Sequence, residues 1–277
     1  DRTLERRRPP LNRLPRWFVV AVTVAPALFL ALFYAWPFAT LIARGATADA
    51  FRATFERSDT WRVLWFTTWQ AAVSTLLTLA IGLAPAWAIA RFEFAGRRLF
   101  ASTLTAVFVL PTVVIGAAFV AILPDSLDRS VWAILGAHVA FNLAVVVRTV
   151  GVAWQRIPPD LEAAASTLGA GPLRTFATVT LPLLRSSIAA SGAIVFLFTF
   201  TSFGVIRVLG TADLTTLEVE VWRRATQLGD IGGAATLTFI QLAALGLLVA
   251  WSAHQQRRHT HRFVSARDDA LRPPVGR

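Results

Sequence analysis

The chain has 277 residues, 55% apolar and only 16% charged, with a net charge of +11 and a mean hydropathy of +0.57, which is the profile of a polytopic membrane protein rather than a soluble domain. Cysteine is absent, excluding disulfide frameworks, thiolate metal sites and cysteine nucleophiles. Lysine is absent too, all 27 basic residues being arginine, so the phosphate-binding lysine of a P-loop is missing and the chain is not expected to hydrolyse ATP that way.

In chain order, Asp1 to Arg16 is a basic segment with six arginines, and Trp17 opens an apolar run reaching about Ala43. That run is too long for a signal-peptide core and reads as a retained first span. The absence of a starting methionine is read as a start inside a longer reading frame or after processing. Further runs cover Trp65 to Ala90, Leu99 to Leu123, Val131 to Trp154, Leu183 to Ile206 and Gly232 to Ala253. Each exceeds the ~20 residues a helix needs to cross the hydrocarbon, so an all-α protein with six spans is expected. The domain reading is a basic segment over 1–16, a six-span domain over 17–253 and a tail or linker over 254–277.

Alternating loops place 19 arginines on the side of the termini and 8 on the other, which predicts that both termini are cytoplasmic. The positive charge is thus divided among membrane-flanking loops, and nucleic-acid binding is not expected. The loop Arg207 to Ile231 on the outer side contains TTLEVEVWRRATQLGD, readable as a short interfacial helix that is either a solvated lid or a contact for an external solute-delivering protein.

The cytoplasmic connection between the fourth and fifth spans, residues 155–182, is half polar. Pro158 and Pro159 suit a helix entry, with Asp160 and Glu162 placing negative charge in its first turn, and Gly169 suits its stop. Leu161, Ala165 and Leu168 share one face, Pro172 opens a second segment presenting Leu173 and Phe176, and Pro182 is expected to begin another helix. Two short apolar-faced helices outside the membrane either fold back on their own bundle or dock a partner.

Inside the spans, polar residues should face a cavity or a neighbouring helix. Asn142, Thr199, Thr201, Ser202, Phe203 and Gln241 are candidate pathway residues, with Gln70, Ser74 and His138 beside them; the threonines and Ser202 equally suit bonds to their own helix, and His138 an interhelical hydrogen bond. No catalytic, cofactor-binding or metal-ligating set is expected, and no acid is found within the six spans to carry a proton for a secondary carrier.

The segment Ile157 to Pro182 is similar to the EAA loop of inner-membrane subunits in binding-protein-dependent ABC importers. That pattern is Glu-Ala-Ala, three residues, Gly, nine residues, an aliphatic, one residue and Leu-Pro. Counting from Gly169 places Ala164 and Ala165 on the alanine pair, Val179 on the aliphatic, and Leu181 and Pro182 on the closing pair. Ala163 occupies the glutamate position, so the acid is displaced by one to Glu162. The resemblance covers about Trp61 to Trp251 and implies the type I ABC importer permease fold, with Leu161, Glu162, Ala164, Ala165, Leu168, Gly169, Leu173, Phe176, Val179, Leu181 and Pro182 as the ATPase-coupling set. It also implies a partner ABC ATPase dimer carrying ATP and Mg, a second permease half (the same, a related or a fused chain), an extracytoplasmic solute-binding protein, and a place in the bacterial inner membrane. GTADLTTLEVEVW and AHVAFNLAVVVRTV look like thiamine and ferric-iron importer permeases, with polyamine and phosphonate permeases as relatives, and thiamine is the first expectation. The alternative is a non-transporting membrane scaffold or insertion-type protein.

Overall fold

A computed structural model describes residues 16–45 and 47–269; residues 1–15 of the basic amino-terminal segment and 270–277 of the tail lie outside the described residues. Thirteen α-helices follow in order: α1 Arg16–Leu30, α2 Trp36–Gly45, α3 Ala48–Glu56, α4 Ser58–Arg91, α5 Arg97–Val109, α6 Thr112–Ile122, α7 Val131–Gln155, α8 Pro159–Thr167, α9 Pro172–Thr175, α10 Leu181–Phe200, α11 Gly204–Leu209, α12 Leu217–Thr226 and α13 Ile231–Asp269. Among the described residues, five helices are long and apolar enough to cross a membrane, Val20–Ala43, Ser58–Arg91, Val131–Gln155, Pro172–Phe200 and Ile231–His254.

The third apolar run, where Pro111 is expected to kink a single span, is broken more sharply than a kink. α5 and α6 meet at 108° around Leu110 and Pro111, and neither arm alone reaches the ~20 residues a span needs. Leu110 is extended at φ −62° and ψ 142°, the conformation favoured for a residue before proline, so Pro111 breaks the helix rather than bending it gently. The fifth run also departs from expectation. Its helix ends at Phe200 instead of continuing to Ile206, and a break at Thr201 to Phe203 leads into the short α11. α6 and α11 pack on each other, and a Cβ on Gly204 would come within 2.2 Å of Thr112 Oγ1 and 2.7 Å of the Val113 amide. These half-helices cover the chain breaks with protein, which lets irregular backbone sit beside apolar spans.

Pro182 stands in the first turn of α10, as expected, but no break separates α10 from the turns before it. It sits inside the continuous helix Pro172–Phe200, directly after a π-helical turn over Phe176–Thr180. Pro37 follows the π turn Ala31–Ala35 in the same way, two residues past its end. Proline supplies no amide to the preceding turn, and widening that turn is one way a helix absorbs the loss.

The bundle centres on α4 and α7, with α10 against both, α5 beside α7, and α13 against α2, α3, α10 and α12. The buried stripe of α4 runs through Thr67, Gln70, Ala71, Ser74, Thr78, Gly82 and Ala86, residues three and four apart that are small or polar. Small side chains let helices approach closely where lipid gives no hydrophobic drive between them. Thr67, Thr75 and Thr78 each bond the carbonyl four residues back and so present little unsatisfied polarity. α13 continues as helix past His254 to Asp269, so the first part of the segment read as a tail or linker is helical.

Candidate functional site

The loop between α7 and α10 is built by local chemistry. Pro159 occupies the first turn of α8, with Asp160 and Glu162 at its positive end. Gly169 adopts φ +81° and closes α8 by a Schellman turn, in which the Ala170 amide donates to the Ala165 carbonyl at 3.0 Å and the Gly169 amide to the Ser166 carbonyl at 3.0 Å. The chain then reverses through Gly171 into Pro172, so α8 and α9 flank a tight tip. Leu168 and Leu173, on either side of that tip, are 88% and 86% exposed.

The structure divides the proposed coupling set. Leu161, Ala164, Leu168, Gly169, Leu173, Leu181 and Pro182 are exposed, and Ala165 is half-buried. Phe176 is not on a common outward face with Leu173 as expected: it turns inward and stacks on Trp154 of α7 with ring centroids 6.0 Å apart. Val179 is half-buried, between the buried Thr175 and Thr180. Glu162 is engaged within the chain. Its Oε1 accepts from Arg91 Nη2 at 3.0 Å and from Thr180 Oγ1 at 2.9 Å. Exposure of Leu168 and Leu173 was legible from helical spacing; the inward turn of Phe176 was not, because its partner Trp154 lies 22 residues away in the preceding span.

Within the spans, the candidate pathway residues bond partly to their own helix and partly across helices, and two of the buried side-chain oxygens, Asn142 Oδ1 and Gln70 Oε1, have no hydrogen-bond partner among the described residues. His138 of α7 bridges α4 and the end of α10, with Nδ1 3.2 Å from Ser74 Oγ and Nε2 2.8 Å from Ser202 Oγ; one ring nitrogen donates and the other accepts. Asn142 Nδ2 donates to the His138 carbonyl at 2.9 Å, and Gln70 Nε2 donates to the Thr199 carbonyl at 2.9 Å. Thr199 and Thr201 bond back to the Val195 and Leu197 carbonyls. Asn142, Thr199 and Ser202 therefore belong to one interhelical cluster, whereas Gln241 stands apart and donates to Glu218 Oε1 at 2.8 Å. Phe203 stacks edge-on against Trp222 at 6.0 Å.

A cavity of about 840 Å³ opens between α4, α5 and α7, lined by Ile89, Ser102, Thr105, Val109, Arg148 and Gln155 among others. Its walls are largely apolar with few polar groups. Arg148 and Gln155 were missed as cavity residues because, in sequence, they read as the flank of a span.

At the opposite end from α8, α12 is not a solvated lid. Glu220 and Arg224 are 1% and 0% exposed, and Glu220 Oε1 accepts from Arg224 Nε at 2.9 Å. Arg223 Nε reaches Glu220 Oε2 at 2.7 Å, and Arg224 Nη2 donates to Thr60 Oγ1 at the start of α4. The Leu217 amide donates to Thr67 Oγ1, and Thr216 Oγ1 to the Ser202 carbonyl, fastening the start of α12 to α4 and to the break after α10. Burial pushes the Glu220 carboxyl up, but the hydrogen bonds and charges of Arg223 and Arg224 outweigh it and hold the group below its ordinary value. Arg223 is raised in turn, chiefly by its bond to Glu220. Alternating acids and bases look solvated in a sequence; here the alternation turns one Glu-Arg pair inward at i, i+4.

Comparisons with known proteins agree with this architecture. A family model described as binding-protein-dependent transport system inner membrane component matches residues 78–261. The thiamine transport system permease protein ThiP of Escherichia coli strain K12 is 32% identical over 88% of this chain and 48% of its own length. Its Brucella melitensis counterpart is 34% identical over 68% of this chain and 38% of that protein. The sulfate transport system permease protein CysT of Salmonella typhimurium is 30% identical over 70% and 76%. The chain thus spans about half the length, or less, of the thiamine permeases it matches. Among solved structures, a bacterial ABC transporter involved in alginate import superposes with a TM-score of 0.73 at 16% identity, covering 87% of this chain and 96% of that one. The MetNI methionine ABC transporter gives 0.56 at 16% identity, covering 71% and 94%. Both likenesses bear on the fold alone. With the family model matched across the central spans, the loop and α13, this chain belongs to the binding-protein-dependent transport system inner membrane components.

Proposed function

We propose that this chain is a transmembrane subunit of an ATP-driven solute importer, forming half of a translocation pathway and coupling to a separate ATPase through the tip between α8 and α9. The observation that carries this reading is the Schellman turn at Gly169 presenting Leu168 and Leu173 almost fully exposed on either side of the tip between α8 and α9. Leucines so exposed outside lipid suit an apolar groove on a partner. Arginine distribution supports a cytoplasmic position for that loop and for both termini, where ATP and Mg would sit on the ATPase dimer. A second permease half is supported by the thiamine permeases being about twice the length of this match, and an extracytoplasmic solute-binding protein by the family's description.

Thiamine is the proposed substrate. Its support is the pair of ThiP relatives at 32% and 34% identity, together with the buried neutral polar groups around His138 and the exposed Phe203 packed on Trp222 nearer α12. The CysT likeness makes sulfate the second reading. The experiment is affinity purification of the chain co-expressed with its ATPase and binding protein, followed by ATP hydrolysis with thiamine-loaded or sulfate-loaded binding protein. Copurification with thiamine-stimulated hydrolysis is expected. Stimulation by sulfate alone would overturn the substrate, and recovery of the chain without any ATPase would favour the scaffold reading.

A further inference from the structure

The residue that departs from the importer pattern turns out to be the chief polar tie between the loop and the bundle. α8 packs mainly on α9 and on the π turn Phe176–Thr180, the opening turns of the helix that runs on to Phe200, and makes little packing contact with α4. Between it and α4 lies a cavity of about 490 Å³, bordered by Leu83, Trp87, Trp154, Ser166 and Thr175. A hollow of that size transmits little by packing. The tie between α8 and the end of α4 is polar: Arg91, the last residue of α4, donates Nη2 to Glu162 Oε1, on the cavity wall, at 3.0 Å and Nη1 to the Ile157 carbonyl at 3.1 Å. Glu162 Oε1 also accepts from Thr180, on the π turn that leads into α10. The Arg91 and Glu162 side chains are 14% and 31% exposed, so the pair is partly shielded from water and salt.

We propose that Arg91, Glu162 and Thr180 form a clamp that carries movement of α8 to α4 and α10, with Glu162 as a positioning residue that does not touch the ATPase. The inference rests on the coupling role proposed for the α8–α9 tip. One carboxylate oxygen joins the ends of two spans, and the Arg91 guanidinium adds the turn after α7, so displacement of the tip reaches all three helices. The π turn beside Pro182 supplies the compliant joint that lets α10 follow. In this arrangement docking belongs to Leu168 and Leu173, and transmission belongs to Glu162. The two are separable by substitution.

The test compares Glu162→Gln, Thr180→Val and the exchanged pair Glu162→Arg with Arg91→Glu, each in the complete complex with its ATPase and binding protein. Spin labels at Ala95→Cys and Thr167→Cys, introduced into a chain without native cysteine, report the separation of the end of α4 from α8 in nanodiscs. For Glu162→Gln the ATPase stays bound and hydrolysis remains within about twofold, while thiamine uptake falls by about tenfold or more and the label separation broadens. Thr180→Val, which spares the ion pair, costs uptake about threefold, and the exchanged pair recovers part of the loss. Uptake within about twofold of the unmodified chain for Glu162→Gln would overturn the clamp. Release of the ATPase by Glu162→Gln would overturn it differently, by making Glu162 a docking contact. An unmodified chain that retains no ATPase would overturn the coupling reading, and the clamp's role with it.

Discussion

Replacing Glu220 by glutamine probes how α12 is held over the end of the bundle. The carboxylate accepts from Arg224 Nε at 2.9 Å and from Arg223 Nε and Nη2 at 2.7 and 3.0 Å. Arg224 is fully buried, and its other acidic neighbour, Asp230, stands at 3.8 Å, beyond hydrogen-bond reach. Glu220→Gln therefore removes the hydrogen-bonded counter-charge of a buried guanidinium and leaves it only the more distant Asp230, a change expected at the lower end of the about 3 to 5 kcal/mol that removal of one partner of a buried pair costs. Arg223→Gln is the control. Arg223 is 42% exposed and screened, so its loss is expected to cost about 1 kcal/mol or less. Hydrogen exchange of the Leu217–Thr226 amides in nanodiscs reads the difference, with local opening raised by about a hundredfold for Glu220→Gln against less than about tenfold for Arg223→Gln. Replacing both members, Glu220→Met with Arg224→Met, should restore much of the protection, because no charge is then left unpaired. Equal protection in Glu220→Gln and the unmodified chain would refute the reasoning, as would equal losses in the two single variants.

The same pair sets a pH response. Glu220 is held below its ordinary value of 4.5, so its contribution is complete above that pH and is lost as pH falls through the lowered folded value; an environment-sensitive dye on Thr226→Cys should be flat from about pH 7 to 5 and change only on further acidification. Gly204→Ala places a methyl within 2.2 Å of Thr112 Oγ1 and against the Val113 amide, and is expected to cost about 1 to 3 kcal/mol, read as faster thermal inactivation in detergent. Gly169→Ala meets nothing within 4 Å, so its cost is purely that of φ +81°, about 1 to 2 kcal/mol, and should appear as disorder of the α8–α9 tip with the spans unaffected.

Much of the fold is written in the apolar runs, because lipid forces each backbone group in a span to bond within its helix. The end of α8 was equally legible: Gly169 and Pro172 are local signals, and local chemistry decides them. What was not legible depends on distant partners or on competition between neighbours. Pro111 announces a disturbance in the third run, but whether it kinks or folds the helix back is settled by the contact of α6 with α11. Pro182 reads as a start signal, yet the π turn before it lets the helix pass through. Glu162 has the look of an outward acid in a first turn, and Arg91, 71 residues earlier, together with Thr180 draws it inward. Ser202 and Asn142 are polar residues in a span, which marks them as internal without naming their partners; Ser202 bonds the His138 ring, whereas Asn142 bonds only the His138 carbonyl and keeps a buried Oδ1 without a partner among the described residues.

The central claim, that the α8–α9 tip transmits ATP-driven force to a solute pathway, is tested most directly by uptake of radiolabelled thiamine into proteoliposomes holding the chain, its second half, the ATPase and the binding protein. Accumulation is predicted to require ATP in the unmodified complex and to disappear, with loss of the bound ATPase, in Leu168→Glu with Leu173→Glu. ATP-dependent uptake that survives both charges on the tip would contradict the account.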